Sequence, residues 1–316
     1  MPPSLGLGGA PIGNLYQAVP EVVALETVRT AIQLGFAQID TAPHYGIGLS
    51  ERRIGAALAG VDRRGVQVST KVGRLLETNP DYVPGQLDPA NFEVPATLRR
   101  RWDYSPQGLR RSLEESLHRM DLERVEILYL HDPEVHGLQE GIRTALPELH
   151  RMRDEGLVDR IGVGSVDTGA LERCVVEADL DVVMCAGRYT LLEQPAAARL
   201  LPLCLARGVR VMAAGVYNSG ALASTAMPDR VLYDYVEAAP AVVERLRRLH
   251  DLCDAHGITV PQAAVQFVGR HPAVEVVVLG ARTPEEVQQA HDNSRADIPD
   301  AFWDDLDGSG LLEHRA

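Results

Sequence analysis

Runs of strand length alternating with helical stripes predict a single-domain α/β fold, a (β/α)8 TIM barrel with long loops after strands three and seven. Three observations carry that expectation. Eight short apolar, β-branched runs recur, most of them followed by a helix pattern. The runs are apolar throughout rather than alternating, as in strands buried on both faces of a parallel sheet, and no hairpin signal joins them. No linker rich in Pro, Gly or Ser divides residues 1–316. Length alone suggests about two domains, but barrels of this kind fill it as one.

The elements follow in order. Residues 5–15 are glycine-rich, with Gly6, Gly8, Gly9 and Gly13. They contain no GxGxxG between a strand and a helix, so they read as a short strand and a loop over the barrel mouth rather than a Rossmann fingerprint. Val22, Val23, Leu25, Val28, Ala31 and Ile32 make a helical stripe over 20–34, stopped by Gly35. Residues 37–41 form a strand, and 50–58 a helix with Ser50 as its N-cap. The strand at 66–71 leads into the first long segment, 75–104, which carries Tyr82, Phe92, Trp102 and the run Arg99-Arg100-Arg101. That run reads either as part of a cover over the pocket or as a solvated surface turn. Ser105-Pro106 opens a helix over 105–120.

The second half repeats the unit. Strands fall at 125–131, 161–165, 182–186, 209–213 and 274–279. Helices fall at 138–155 (ended by Gly156), 169–178, 196–207 (ended by Gly208), 240–256 (ended by Gly257), 261–270 and, last, 284–290. The second long segment is 217–239, and both long segments leave C-terminal strand ends, where they can cover a pocket.

A net charge of −13, from 44 acids against 31 bases, disfavours a nucleic-acid groove or an anionic membrane surface. Cys174, Cys185, Cys204 and Cys253 show neither CxxC nor zinc spacing and read as free thiols in a reducing compartment. The N-terminal stretch lacks a basic region followed by an apolar one, and no apolar run is long enough to cross a bilayer. A cytoplasmic protein without nucleic-acid or membrane partners is expected.

Three strand-like runs end in reactive residues. Asp40 closes one and leads through a bend to His44 and Tyr45; Lys71 and His131 close two others. Parallel strands bring such ends to one face. A phenol with a pKa near 10 exchanges protons poorly at neutrality, and an ammonium a few ångströms away lowers that pKa. Lys71 is expected to do so, with Asp40 pairing to hold it. Tyr45 then acts as general base on a hydroxyl or general acid on a carbonyl, and His131 orients the substrate oxygen. Singly, each residue has a structural alternative: Asp40 a cap, Lys71 a surface ion pair, His131 a turn histidine. His44 lines the substrate site or plays a structural part.

The run Asp40-Thr41-Ala42-Pro43-His44-Tyr45-Gly46 with Ser50-Glu51, then Ser69-Thr70-Lys71, then Leu130-His131, resembles the aldo-keto reductase superfamily over residues 6–293. The resemblance implies a barrel that binds a nicotinamide dinucleotide without a Rossmann domain and passes hydride directly between nicotinamide and substrate. Its cofactor contacts come with departures. Gly162-Val163-Gly164-Ser165 stands where the family has Gly-Val-Ser-Asn, leaving Ser165 for the carboxamide. Ala186 replaces a family glutamine, with Arg188 nearby to supply polarity. Asn218-Ser219-Gly220 resembles a pyrophosphate loop.

Gly280 and Glu286 fall where NADP users bring a lysine and an arginine, while Arg282 remains within reach of a phosphate. NAD is therefore the preferred cofactor, NADP the alternative. The runs Ala186–Leu192, Asn218–Gly220 and Trp102–Ser105 are similar to the branch of sugar dehydrogenases, which implies oxidation of the anomeric hydroxyl of an aldose such as L-fucose or D-arabinose to the lactone. Trp102 joins His44 as a substrate-contact candidate. Alternatives are pyridoxal 4-dehydrogenase or small-aldehyde reductase activity, or a cofactor-binding regulatory subunit; oligomeric state and reaction direction stay open.

Overall fold

The computed structural model describes residues 2–313 apart from 229, 234 and 235. Eight parallel strands close a barrel: β1 Leu5–Gly8, β2 Gln38–Asp40, β3 Gln67–Val72, β4 Ile127–His131, β5 Arg160–Ser165, β6 Val182–Ala186, β7 Arg210–Ala214 and β8 Val274–Gly280. Each pairs with its neighbours in chain order, and β8 returns to β1 (Leu5 opposite Val277, Gly8 opposite Gly280), so no strand edge is left open. The predicted strands lie within one or two residues of these bounds.

Strand periodicity sorts the side chains. Ile127, Tyr129, Val182, Met184, Met212, Val276 and Val278 pack together inside the barrel. Their chain neighbours Leu128, Val183, Val211 and Val277 pack outward against the helices. The same parity turns Gln38 and Asp40 of β2, Ser69 and Lys71 of β3, and His131 of β4 inward. Gln38 Nε2 donates to Ser69 Oγ at 2.9 Å, and Ser69 Oγ donates to Asp40 Oδ1 at 2.7 Å. A polar seam thus runs up β2 and β3 towards the C-terminal ends.

Several sequence expectations need correction. Ser50 is not a cap: Gly48, at φ 84°, precedes the helix Leu49–Leu58. Ser50 Oγ instead donates to the Gly9 carbonyl at 2.8 Å and meets Thr41 Oγ1 at 2.9 Å, tying the helix to β1 and β2. Segment 75–104 is no open loop, because Arg74–Thr78 and Leu98–Trp102 pair as an antiparallel hairpin. Within it Arg100 is partly buried rather than solvated. It donates to buried Asp88 through both terminal nitrogens (2.7 and 2.6 Å) and to the His44 carbonyl at 2.7 Å.

The second long segment holds a two-residue pairing of Leu232–Tyr233 with Val236–Glu237. The helix expected over 138–155 divides into Leu138–Glu140, a wide π turn Gly141–Ala145 and Leu146–Asp154. Pro147 has no N–H for the carbonyl of Arg143, which favours the wider turn. The chain's last helix is Asp300–Gly308, which seats Phe302, Trp303 and Leu306 in the core. Expecting the final helix at 284–290 missed it, and also fell short of the true extent of its predecessor, Pro284–Arg295.

Candidate active site

The C-terminal ends of β2, β3 and β4 bring four side chains together. Lys71 Nζ donates to Asp40 Oδ2 at 2.6 Å and to the Thr41 carbonyl at 3.0 Å, and sits 4.7 Å from the centre of the Tyr45 ring. The Tyr45 ring lies 6.0 Å from that of His131, edge to face. Tyr45 stands on the turn after β2 because Gly46, at φ 60°, reverses the chain against Gly13; any side chain there would strike the Gly13 carbonyl.

Charge and burial oppose each other here. Burial works against the Lys71 ammonium, but Asp40 and Tyr45 beside it outweigh burial and hold its pKa above the ordinary value. For Tyr45 the balance goes the other way. Burial pushes the phenol up to about 12, and the attraction of Lys71 offsets only part of this. The expectation of a phenol made acidic by Lys71 is thus corrected: the side chain is partly buried, and desolvation of a phenolate there exceeds one cation's help. Burial, with the cations Arg74 and Lys71 and with His44 and Arg100, keeps His131 well below the usual imidazole range.

His44 joins the same cluster, its ring 5.7 Å from His131, 6.1 Å from Tyr45 and 5.5 Å from Phe92. Burial, then Arg100, Arg74 and Lys71, lower its pKa to about 2, so it is neutral. Trp102 does not stand alone over the pocket: the Arg74 guanidinium lies 4.2 Å from one ring centre, and His136 stacks on it at 5.1 Å and 4°.

The remaining candidates ring the mouth on the loops after β5 to β8 and make contacts of their own. Ser165 Oγ donates to Glu134 Oε1 at 2.7 Å and accepts the Asp167 N–H at 2.8 Å, leaving one lone pair. Arg188 bridges the Val166 carbonyl and Glu193, both at 3.1 Å, and Glu193 accepts from Tyr233. Asn218 Nδ2 donates to the Gly187 carbonyl at 3.3 Å, and its Oδ1 is buried without a partner. Asn218, Ser219 and Gly220 run at φ 43°, 57° and 96°. Gly280 is exposed at the end of β8 beside Pro11. Glu286 Oε2 accepts the Arg282 N–H at 2.7 Å; Arg282 Nη2 turns back to the Leu15 carbonyl at 3.4 Å, and its Nε is buried without a partner.

Sequence reasoning missed Arg74 and Asp132. Arg74 Nη1 lies 2.8 Å from His131 Nδ1, and Nη2 donates to Asp132 Oδ2 at 2.7 Å. The signal was a charged residue shortly after each of two reactive residues, Arg74 following Lys71 across Val72-Gly73 and Asp132 directly following His131. A concavity of about 670 Å³ lies at the opposite, N-terminal end of the barrel, lined by Arg63, Gln67, Glu126 and Glu275. It is remote from these groups, at the face that in such barrels serves stability rather than chemistry.

Residues 4–310 match the model of the aldo/keto reductase family. The chain is 43% identical over 311 residues to D-threo-aldose 1-dehydrogenase of Pseudomonas sp., covering 98% of this chain and 94% of that protein. It is 34% identical to pyridoxal 4-dehydrogenase of Microbacterium luteolum at the same coverage. Among solved structures, the holo form of an aldo-keto reductase from Bacillus halodurans superposes with TM-score 0.77 at 20% identity, covering 99% of this chain and 93% of that one. At that identity the likeness concerns the fold alone.

Proposed function

Given that the chain belongs to the aldo/keto reductase family and is an NAD(P)-dependent oxidoreductase, we propose that it oxidises the anomeric hydroxyl of an aldose to the lactone, with NAD preferred over NADP. Asp40, Tyr45, Lys71 and His131 carry the chemistry in this reading. The observation that supports it best is the buried Asp40–Lys71 pair (2.6 Å) with its ammonium 4.7 Å from the Tyr45 ring. The 43% identity to a D-threo-aldose 1-dehydrogenase supports the substrate class, with sugars such as L-fucose and D-arabinose as candidates.

When bound, the dinucleotide supplies the hydride acceptor. The mouth fits such a group: residues 218–220 form a tight left-handed turn, and Asn218 Oδ1 and Arg282 Nε are buried polar atoms awaiting partners. Ser165 and Arg188 complete this side. A carboxylate at Glu286, with the Arg282 side chain turned to Leu15, disfavours a ribose 2′-phosphate and favours a free hydroxyl. Tyr45 accepts the proton of the substrate hydroxyl in oxidation and returns it to a carbonyl in reduction. Lys71, kept charged by Asp40, stabilises the phenolate, and His131 holds the substrate oxygen. His44 and Trp102 flank it. Four buried free cysteines suit the reducing cytoplasm.

A panel of aldoses, pyridoxal and small aldehydes with NAD and NADP tests this reading. L-fucose or D-arabinose with NAD is expected to give the highest kcat/KM, and Tyr45→Phe to lower it by about 10²–10⁴-fold. Preference for pyridoxal would move the chain to the other relative's activity. Tight dinucleotide binding without turnover would mark a regulatory subunit.

A further inference from the structure

We propose that Arg74 is a positioning residue for His131: its guanidinium determines which ring nitrogen carries the proton, and so makes Nε2–H the donor offered to the substrate oxygen. This rests on the reading of His131 as the residue that holds that oxygen. Arg74 Nη1 lies 2.8 Å from His131 Nδ1, in a buried setting. Guanidinium can only donate, so Nδ1 must accept and the neutral ring keeps its proton on Nε2. A proton on Nδ1 would set two donors against each other at that distance. The imidazolium form requires that clash, as does the other neutral tautomer.

The guanidinium is held for this task on two sides. Asp132 Oδ2 accepts from Nη2 at 2.7 Å, from a turn in which Asp132 has φ 44°. That oxygen is also 3.5 Å from His131 Nε2, a long contact to an acceptor already engaged by arginine. The face of the guanidinium lies on Trp102, its register partner in the hairpin, and Trp102 stacks on His136. The hairpin register therefore fixes where the guanidinium sits, which in turn orients the imidazole. The other ionisable groups around His131 are His44, Tyr45, Lys71 and Arg100, none of which is placed on Nδ1. A cation on Nδ1 also withdraws electron density from the ring and strengthens Nε2–H as a donor to an oxygen gaining negative charge.

The test is nitrogen-15 NMR of the imidazole rings, with the His131 signals assigned by their loss in His131→Gln, alongside steady-state kinetics. Wild type is expected to show His131 as the Nε2–H tautomer, not titrating between about pH 5.5 and 9. Arg74→Met is expected to bring in the Nδ1–H form or a titration. Its kcat is expected to fall at least about tenfold, with a smaller change in the KM for the nucleotide. Arg74→Lys, which restores one donor, should recover part of both.

An Nδ1–H tautomer or an imidazolium in wild type at pH 7 would overturn the proposal, and so would wild-type tautomer or wild-type kcat in Arg74→Met. Should Arg74→Met not fold, the wild-type spectra and Arg74→Lys decide. Wild type with the expected tautomer but no sugar turnover would instead sink the dehydrogenase reading and leave the Arg74 geometry standing.

Discussion

Tyr45 keeps its proton at neutral pH because desolvation costs a phenolate more than Lys71 returns. Two directions of reaction then respond differently to pH. Oxidation needs the phenolate as base, so its kcat/KM is expected to climb from pH 7 towards pH 10; reduction uses the phenol as acid and is expected to stay level over that range. The groups that set this balance are Lys71, Asp40 and Asp132, with His131 and His44 neutral beside them. pH profiles of both directions check it, and a flat oxidation profile would show that Tyr45 is not the titrating base. The site residues of β2 to β4 were legible in sequence because each ends a strand, where period-two alternation decides which way it points. Arg74 and Asp132 escaped notice because their roles depend on one another across 58 positions of chain.

At the scale of elements, backbone approach decides more than side-chain pattern. Gly55, on the helix Leu49–Leu58, faces the end of the helix Pro106–Met120 so closely that a β-carbon would lie 2.2 Å from the Met120 carbonyl oxygen. Nearby, buried Glu51 accepts from Thr70 and Arg119 and ties both helices to β3. Gly55→Ala must push the helices apart, and a loss of about 1–3 kcal/mol or more is expected, read from urea midpoints. An unchanged midpoint would mean that the helices give way freely. The hairpin over the mouth was missed for a related reason. Its strands are largely polar and are separated by residues 79–97, so neither a tight-turn signal nor an apolar alternation announced it.

For the whole molecule, the two ends of the barrel divide the work. At the N-terminal end Glu275 sits at the register shift of β8 and accepts from Arg160 of β5 at 3.0 Å and Arg210 of β7 at 3.2 Å. Glu275→Ala leaves two half-buried guanidinium groups short of an acceptor. A loss of about 1–3 kcal/mol in stability with unchanged kcat/KM is expected, and thermal melts with sugar kinetics check it. A fall in kcat/KM would show that the two ends are coupled.

The sequence by itself determined the order of strands and helices, since hydrophobic period and stop signals act over a few residues. It also determined which residues stand at the strand ends. Only the tertiary structure decided that desolvation outweighs Lys71 at Tyr45, that Arg100 is a partly buried clamp on Asp88 rather than a solvated charge, and that an arginine lies on His131. Desolvation and ion pairing depend on every atom within a few ångströms, and most of those atoms come from distant parts of the chain.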